Sequence, residues 1–172
     1  MAIVPDTKNW TWVLERPCPE CGFFAGAVTI DAVPDLIRSD LHAWESVLAR
    51  PDVSIRPDQQ TWSPLEYGAH VRDVHRIFRE RLALVLEQDA PLFANWDQDA
   101  TAMAEDYNAQ NPATVAAELN EAACALASAF EAVSPSERSR AGRRSDGAEF
   151  TVETLAQYYI HDPIHHLWDV RR

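Results

Sequence analysis

Glycine is scarce in this chain, with five residues in 172. Cysteine and methionine are scarcer still, at three and two, and basic residues fall short of acidic ones, 15 against 27. Each shortage excludes something. Few glycines leave little material for a turn-rich all-β fold, because glycine is the default residue at tight turns. Three cysteines, an odd number, do not make the disulfide framework of a small secreted domain. A net charge of −12 repels polyphosphate and anionic lipid, which excludes a general nucleic-acid binder and a peripheral membrane protein. Long hydrophobic runs are missing as well. The longest charge-free stretch near the start is Cys21 to Ile30, far short of a spanning helix. It follows Glu15, Arg16 and Glu20, which is not the layout of a signal peptide. The expectation is a cytoplasmic protein.

Alanine is abundant, with 26 residues, and hydrophobic residues make up 47% of the chain. Alanine loses least on entering a helix, so the composition points to an all-α domain. The length suits one core. Residues 1–28 read as a non-helical N-terminal arm and residues 29–172 as a helical domain. In the arm, Trp10-Thr11-Trp12-Val13-Leu14 reads as a short strand or extended segment. Two prolines and a glycine make Cys18-Pro-Glu-Cys21-Gly a turn.

Four amphipathic segments follow. The first is expected from about Asp31, as N-cap, to Arg50, with Ile37, Leu41, Trp44 and Leu48 on one face. The second opens on Ser63-Pro64-Leu65-Glu66, a capping box with proline in the first position, and buries Tyr67, Val71, Val74, Phe78, Leu82 and Val85. Residues 89–111 form an acidic connection with a short helix near 98–107. The third begins after Asn111-Pro112 and buries Val115, Leu119, Ala122, Leu126, Ala129 and Val133. Asp146-Gly147 marks a tight turn of a small hairpin. The fourth runs from about Thr151 to Val170 with a seam of Thr154, Tyr158, His161, His165 and Trp168. Such spacing predicts a four-helix bundle.

His161 and His165 are four apart on a helix, so their imidazoles can converge on one ion. A buried imidazole needs partners for its ring nitrogens. A cation is one such partner; core hydrogen bonds or water are the alternative. A third ligand could come from His42, or from His70 or His75, which flank the apolar stripe of the second helix. His166 points about 100° away from His165 and reads as a surface or supporting residue. Pro163, between the pair, removes the N–H that would bond the carbonyl of Tyr159, so the helix either kinks there or re-aims His161.

Trp62-Ser63-Pro64-Leu65-Glu66-Tyr67-Gly68-Ala69-His70-Val71, together with the ending His161-Asp162-Pro163-Ile164-His165-His166, resembles the DinB-like superfamily of four-helix-bundle metalloproteins. The resemblance covers roughly residues 30–170. It implies a three-histidine site of His70, His161 and His165 holding a divalent ion, zinc or nickel first. It also implies a low-molecular-weight thiol as cosubstrate, since mycothiol- and bacillithiol-dependent transferases and maleylpyruvate isomerase are relatives. A cation held by three neutral imidazoles keeps its full charge and lowers the pKa of a bound water or thiol.

The remaining candidates carry alternatives. Glu66, Asp73 and Asp169 could orient the ligands or be solvated helix charges. Cys18 and Cys21 form half of a zinc knuckle whose other half is missing from the sequence, because Cys124 reads as a small core residue. The pair could instead be redox-active, meet its twin across a homodimer, or be two reduced thiols in a turn. The basic run Arg138 to Arg144 could bind a carboxylate on a thiol cofactor or form a solvated loop. Trp10, Trp12 and Trp96 could cover the bundle, line a pocket or form a dimer contact. The function expected is metal-dependent thiol transfer or isomerisation on a small molecule, without nucleic acid or membrane; the alternative is a non-catalytic metal- or ligand-binding stress protein.

Overall fold

The computed structural model describes Ile3 and residues 9–171. Its helices are α1 (Val33–Leu48), α2 (Pro64–Glu87), the short α3 (Gln98–Ala104), α4 (Pro112–Glu131) and α5 (Val152–Asp169). α4 packs on α1 and α2, and α5 packs on the same two, which closes a four-helix bundle. The helix starts follow their chemistry. Ser63 and Glu66 form the expected capping box at α2, Asn111 accepts from the N–H groups of Ala113 and Thr114 ahead of Pro112, and Thr151 caps α5. Asp31 is not the cap of α1. It lies in a 3-10 turn, Ile30–Ala32, and its carboxylate is drawn off to Arg138, 3.0 Å away.

A small sheet sits across the end of the bundle, with strands β1 (Leu92–Phe93), β2 (Ala141–Arg144) and β3 (Glu149–Thr151) in the order β1-β2-β3. β2 and β3 form the expected hairpin, and Gly147 takes the left-handed conformation its turn requires (φ +97°). β1 falls in the acidic connection and pairs parallel with β2. Arg140 ties the sheet to α2 by donating to the carbonyls of Val85 and Gln88, each at 2.7 Å.

The seam of α5 differs from the expected one. The residues facing the bundle are Val152, Leu155, Ala156, Tyr159, Ile160, Pro163 and Leu167, all buried. Thr154, Tyr158, His161, His165 and Trp168 lie on the opposite face, about half a turn round the helix. Of these five only the two histidines are fully buried, with the N-terminal arm packed against this side of α5. Pro163 stands inside the helix, which runs through it. Cys124 is exposed on α4 and is not a core residue.

The arm is neither strand nor extended. Trp10–Leu14 is a 3-10 helix capped by Asn9, and a second 3-10 turn spans Ala25–Ala27. The two turns meet so closely that a Cβ on Gly26 would lie 1.9 Å from the carbonyl oxygen of Leu14. Gln157 of α5 donates to the carbonyls of Gly26 and Val28. Among the described residues, no helix is long and apolar enough to cross a membrane.

Asp40, on α1, has a buried carboxylate oxygen without a hydrogen-bond partner. Burial pushes its pKa up to about 6 against the opposing charge of Arg171. Below the unfolded value of 3.8 the group is neutral in both states and costs nothing. Between 3.8 and about 6 the unfolded chain ionises this group while burial keeps it neutral in the fold, so stability falls across that window and stays at the lower level above it. Asp40→Asn is therefore expected to stabilise the protein by up to about 3 kcal/mol at pH 8, with the gain shrinking toward zero near pH 4. Urea denaturation at the two pH values measures this.

Candidate functional site

His70 sits in the second turn of α2, so the capping box fixes its height. Ser63 accepts from the N–H of Glu66 at 3.2 Å, and the Glu66 carboxylate takes the N–H of Ser63 at 2.8 Å and also pairs with Arg56. Trp62 lies tilted against the His70 ring at 5.3 Å between centroids, and Trp96 stacks nearly parallel to it at 5.2 Å. Trp96 is held by a 2.7 Å bond from its indole N–H to Thr101 of α3. The imidazole is fully buried, yet among the described residues neither ring nitrogen has a hydrogen-bond partner. Leaving a buried polar group in that state costs about 1–3 kcal/mol, which marks the place as built for something else.

The groups facing His70 are Asp162 and His166 of α5. Asp162 Oδ1 lies 3.3 Å from His70 Nε2 without hydrogen-bond geometry, and 3.7 Å from His166 Nε2. One donor atom from each of the three residues falls within 4.8 Å of the others. Ligands about 2.1 Å from one cation stand about 3.0 Å apart at right angles and 3.4 Å apart in a tetrahedron, so the spacing suits a shared ion. His166 Nδ1 donates to Asp169 at 3.0 Å, which leaves Nε2 as the nitrogen facing the centre. Burial would raise the Asp162 carboxyl, but the charges of His70 and His166 hold it far below the usual range.

His161 and His165 face elsewhere. Their partners are Cys18 and Cys21 of the arm, and the four donor atoms again fall within 4.8 Å of one another. The three-histidine set expected from the resemblance is thus not brought together. His161 and His165 stand with the two cysteines, whereas His70 stands with Asp162 and His166. Because successive residues of a helix point about 100° apart, the pair 161/165 looks toward the arm and the pair 162/166 toward α2. Burial pushes the His161 imidazole down to about 4 and lowers His165 as well, so both are neutral at neutral pH. Burial also pushes the Cys21 thiol up to about 11, the opposite of the lowered pKa that marks a redox nucleophile.

A cavity of about 480 Å³ reaches both sets of α5 residues. Trp10, Trp96, Phe78 and Tyr158 give it aromatic walls, and Arg81 and Arg144 line its far side. Arg144 is engaged by Asp146 and by the Tyr158 hydroxyl. Arg81 is not: its guanidinium is buried over Phe78 and Phe93, and among the described residues its one hydrogen bond goes to the carbonyl of Ala94. Burial, reinforced by Arg144, pushes its pKa down to about 10. A buried cation with a single carbonyl acceptor favours an anion beside it.

The other expected residues are placed as follows. Glu66 serves the cap, and Asp73 serves Arg72, Arg76 and Tyr107, so neither touches the centre. Asp169 does, through His166. His75 shares a 2.7 Å hydrogen bond with the Tyr159 hydroxyl, a satisfied core histidine. Of the basic run, Arg138 pairs with Asp31, Arg140 ties sheet to helix, and Arg144 reaches the cavity. Sequence reasoning missed Asp162 and Arg81. The signal for Asp162 was its spacing of four from His166.

Residues 35–170 match the family described as the DinB superfamily. No curated protein matches the chain. The fold is similar to that of YfiT from Bacillus subtilis, described as a probable metal-dependent hydrolase with an unusual four-helix bundle topology. The TM-score is 0.66 at 19% identity, over 99% of this chain and 93% of that one.

Proposed function

The chain belongs to the DinB superfamily, and on that premise we propose that it is a divalent-metal-dependent enzyme that transfers or isomerises a small molecule with a low-molecular-weight thiol as cosubstrate. His70, Asp162 and His166 are the protein ligands in this reading. One observation carries it: a fully buried imidazole with two unpartnered nitrogens faces a carboxylate and a second imidazole, and those two line a cavity. Three protein ligands beside an open space are the pattern of a catalytic centre, whereas a structural centre is closed by a fourth. Zinc or nickel bound there would supply a Lewis acid that lowers the pKa of a thiol or water.

The chain's own groups do the rest. Asp169 fixes the tautomer of His166, so that its Nε2 faces the centre. Asp162 brings one negative charge, which makes the centre less positive than three imidazoles would. Trp96 covers His70, and Trp10 walls the cavity, limiting water beside the reacting atoms. Arg81, with Arg144 beside it, suits a carboxylate on the thiol or on the electrophile. The description of YfiT as a probable metal-dependent hydrolase favours a second reading, hydrolysis at the same centre.

The test is turnover by protein stripped of metal and reloaded with zinc, nickel, manganese or iron. Metal-dependent consumption of mycothiol, bacillithiol or glutathione with a carboxylate-bearing electrophile is expected. Cleavage of esters or amides with thiol unconsumed would favour hydrolysis. Tight metal binding with neither reaction would leave a binding module and overturn both.

A further inference from the structure

We infer that Cys18, Cys21, His161 and His165 together bind one structural zinc ion that fastens the N-terminal arm to α5. The four donors come from two places far apart in sequence. Cys18 and Cys21 belong to a knuckle shaped by backbone. Gly22 takes φ +75°, its N–H bonds the carbonyl of Cys18 at 2.9 Å, and the N–H of Cys18 bonds the carbonyl of Phe23 at 2.9 Å. His161 and His165 are one turn apart on α5, with ring centroids 5.1 Å apart.

The spacing fits a tetrahedron. Zinc sits about 2.3 Å from thiolate sulfur and about 2.0–2.1 Å from imidazole nitrogen. At the tetrahedral angle, sulfur and nitrogen then lie about 3.6 Å apart. Cys18 Sγ is 3.6 Å from His165 Nδ1, and Cys21 Sγ is 3.7 Å from His161 Nε2. Both cysteines are free thiols, so no disulfide competes for the sulfurs. The second nitrogen of His165 lies 3.7 Å from Asp169 and 3.9 Å from Glu20, carboxylates of the kind that steady a ligating histidine.

This centre would be closed by its own four donors, although its histidines also border the cavity. Four protein donors complete the coordination of zinc, and two sulfurs with two nitrogens are the set of structural sites. Trp10 covers both imidazoles, with ring centroids at 5.4 and 5.2 Å. Cys18 is buried. The missing half of the knuckle is thus supplied within one chain by histidines, and no second copy is needed. None of its ligands is shared with His70, Asp162 and His166, so the two assignments fail separately.

X-ray absorption at the zinc edge tests it on the full-length chain carrying His70→Ala, purified without an affinity tag. The expected result is one zinc per chain with two sulfur neighbours at about 2.3 Å and two nitrogen neighbours at about 2.0 Å. In the Cys18→Ser/Cys21→Ser variant of the otherwise native chain, zinc content is expected to fall by one equivalent while the cavity centre still loads. The wild-type spectrum needs no variant to fold, and it must contain sulfur. A zinc-loaded wild type with nitrogen and oxygen neighbours alone overturns the assignment. So does a Cys18–Cys21 disulfide in the purified chain, or unchanged zinc content in the double variant.

Discussion

Asp162→Asn is expected to weaken divalent-metal binding at the cavity centre about 100-fold or more. Loss of a group that only steadies a ligand typically costs about 10–100-fold, and Asp162 stands in the proposed ligand set itself. Its carboxylate lies between His70 and His166, and an amide keeps the shape but discards the charge. Asp162→His makes the contrast. An imidazole at 162 would lie one turn from His166, and binding is expected to stay within about tenfold of the native chain. Metal titration by calorimetry of both variants, with the cysteine site already filled, separates a ligand from a distant charge. If the asparagine variant binds as tightly as the native chain, Asp162 is no ligand.

Truncation of Trp44 to alanine is expected to cost about 3–5 kcal/mol, the range for large aromatic residues in well-packed cores. The side chain is 1% exposed and packs in the second of two buried clusters, with Leu48, Leu65, Leu119 and Leu167. That loss is a large part of the total stability of an ordinary domain, about 5–15 kcal/mol. Trp44→Phe behaves differently. The indole N–H has no hydrogen-bond partner, so phenylalanine loses volume but also removes an unsatisfied donor. Its cost is expected to be under half that of alanine. Denaturant midpoints of the two variants provide the comparison, and equal losses would show that the ring kept by phenylalanine adds nothing to the packing.

Much of the fold was legible because helix ends are local chemistry. Ser63-Pro64-Leu65-Glu66, Asn111-Pro112 and Thr151 announce their helices through groups within three residues of each start. Cys124 could have been read better from the same wheel: it lies two residues from both Ala122 and Leu126, nearly opposite the face they share. β1 could not have been read. Two residues carry no period, and their pairing partner lies fifty residues away.

The site was half legible for a geometric reason. His161/His165 and Asp162/His166 are both pairs spaced by four, rotated by about 100° from each other. Nothing in α5 alone says which pair meets His70. The answer depends on how α5 is rolled, and that is set by Tyr159, Ile160, Pro163 and Leu167 packing into the bundle. The partner of Cys18 and Cys21 was equally remote, about 140 residues along the chain. Arg81 was hidden by its surroundings, since only the folded chain shows its guanidinium buried over Phe78 and Phe93 at the cavity wall.

Trp10 belongs to two neighbourhoods at once. One side of its indole covers the imidazoles that face the cysteines, and the residue is also part of the cavity wall. The anchoring of the arm around Trp10 and the shape of the cavity are therefore one problem for this chain. A sequence drifting away from its cysteines would have to rebuild the cavity's rim, even with His70, Asp162 and His166 untouched.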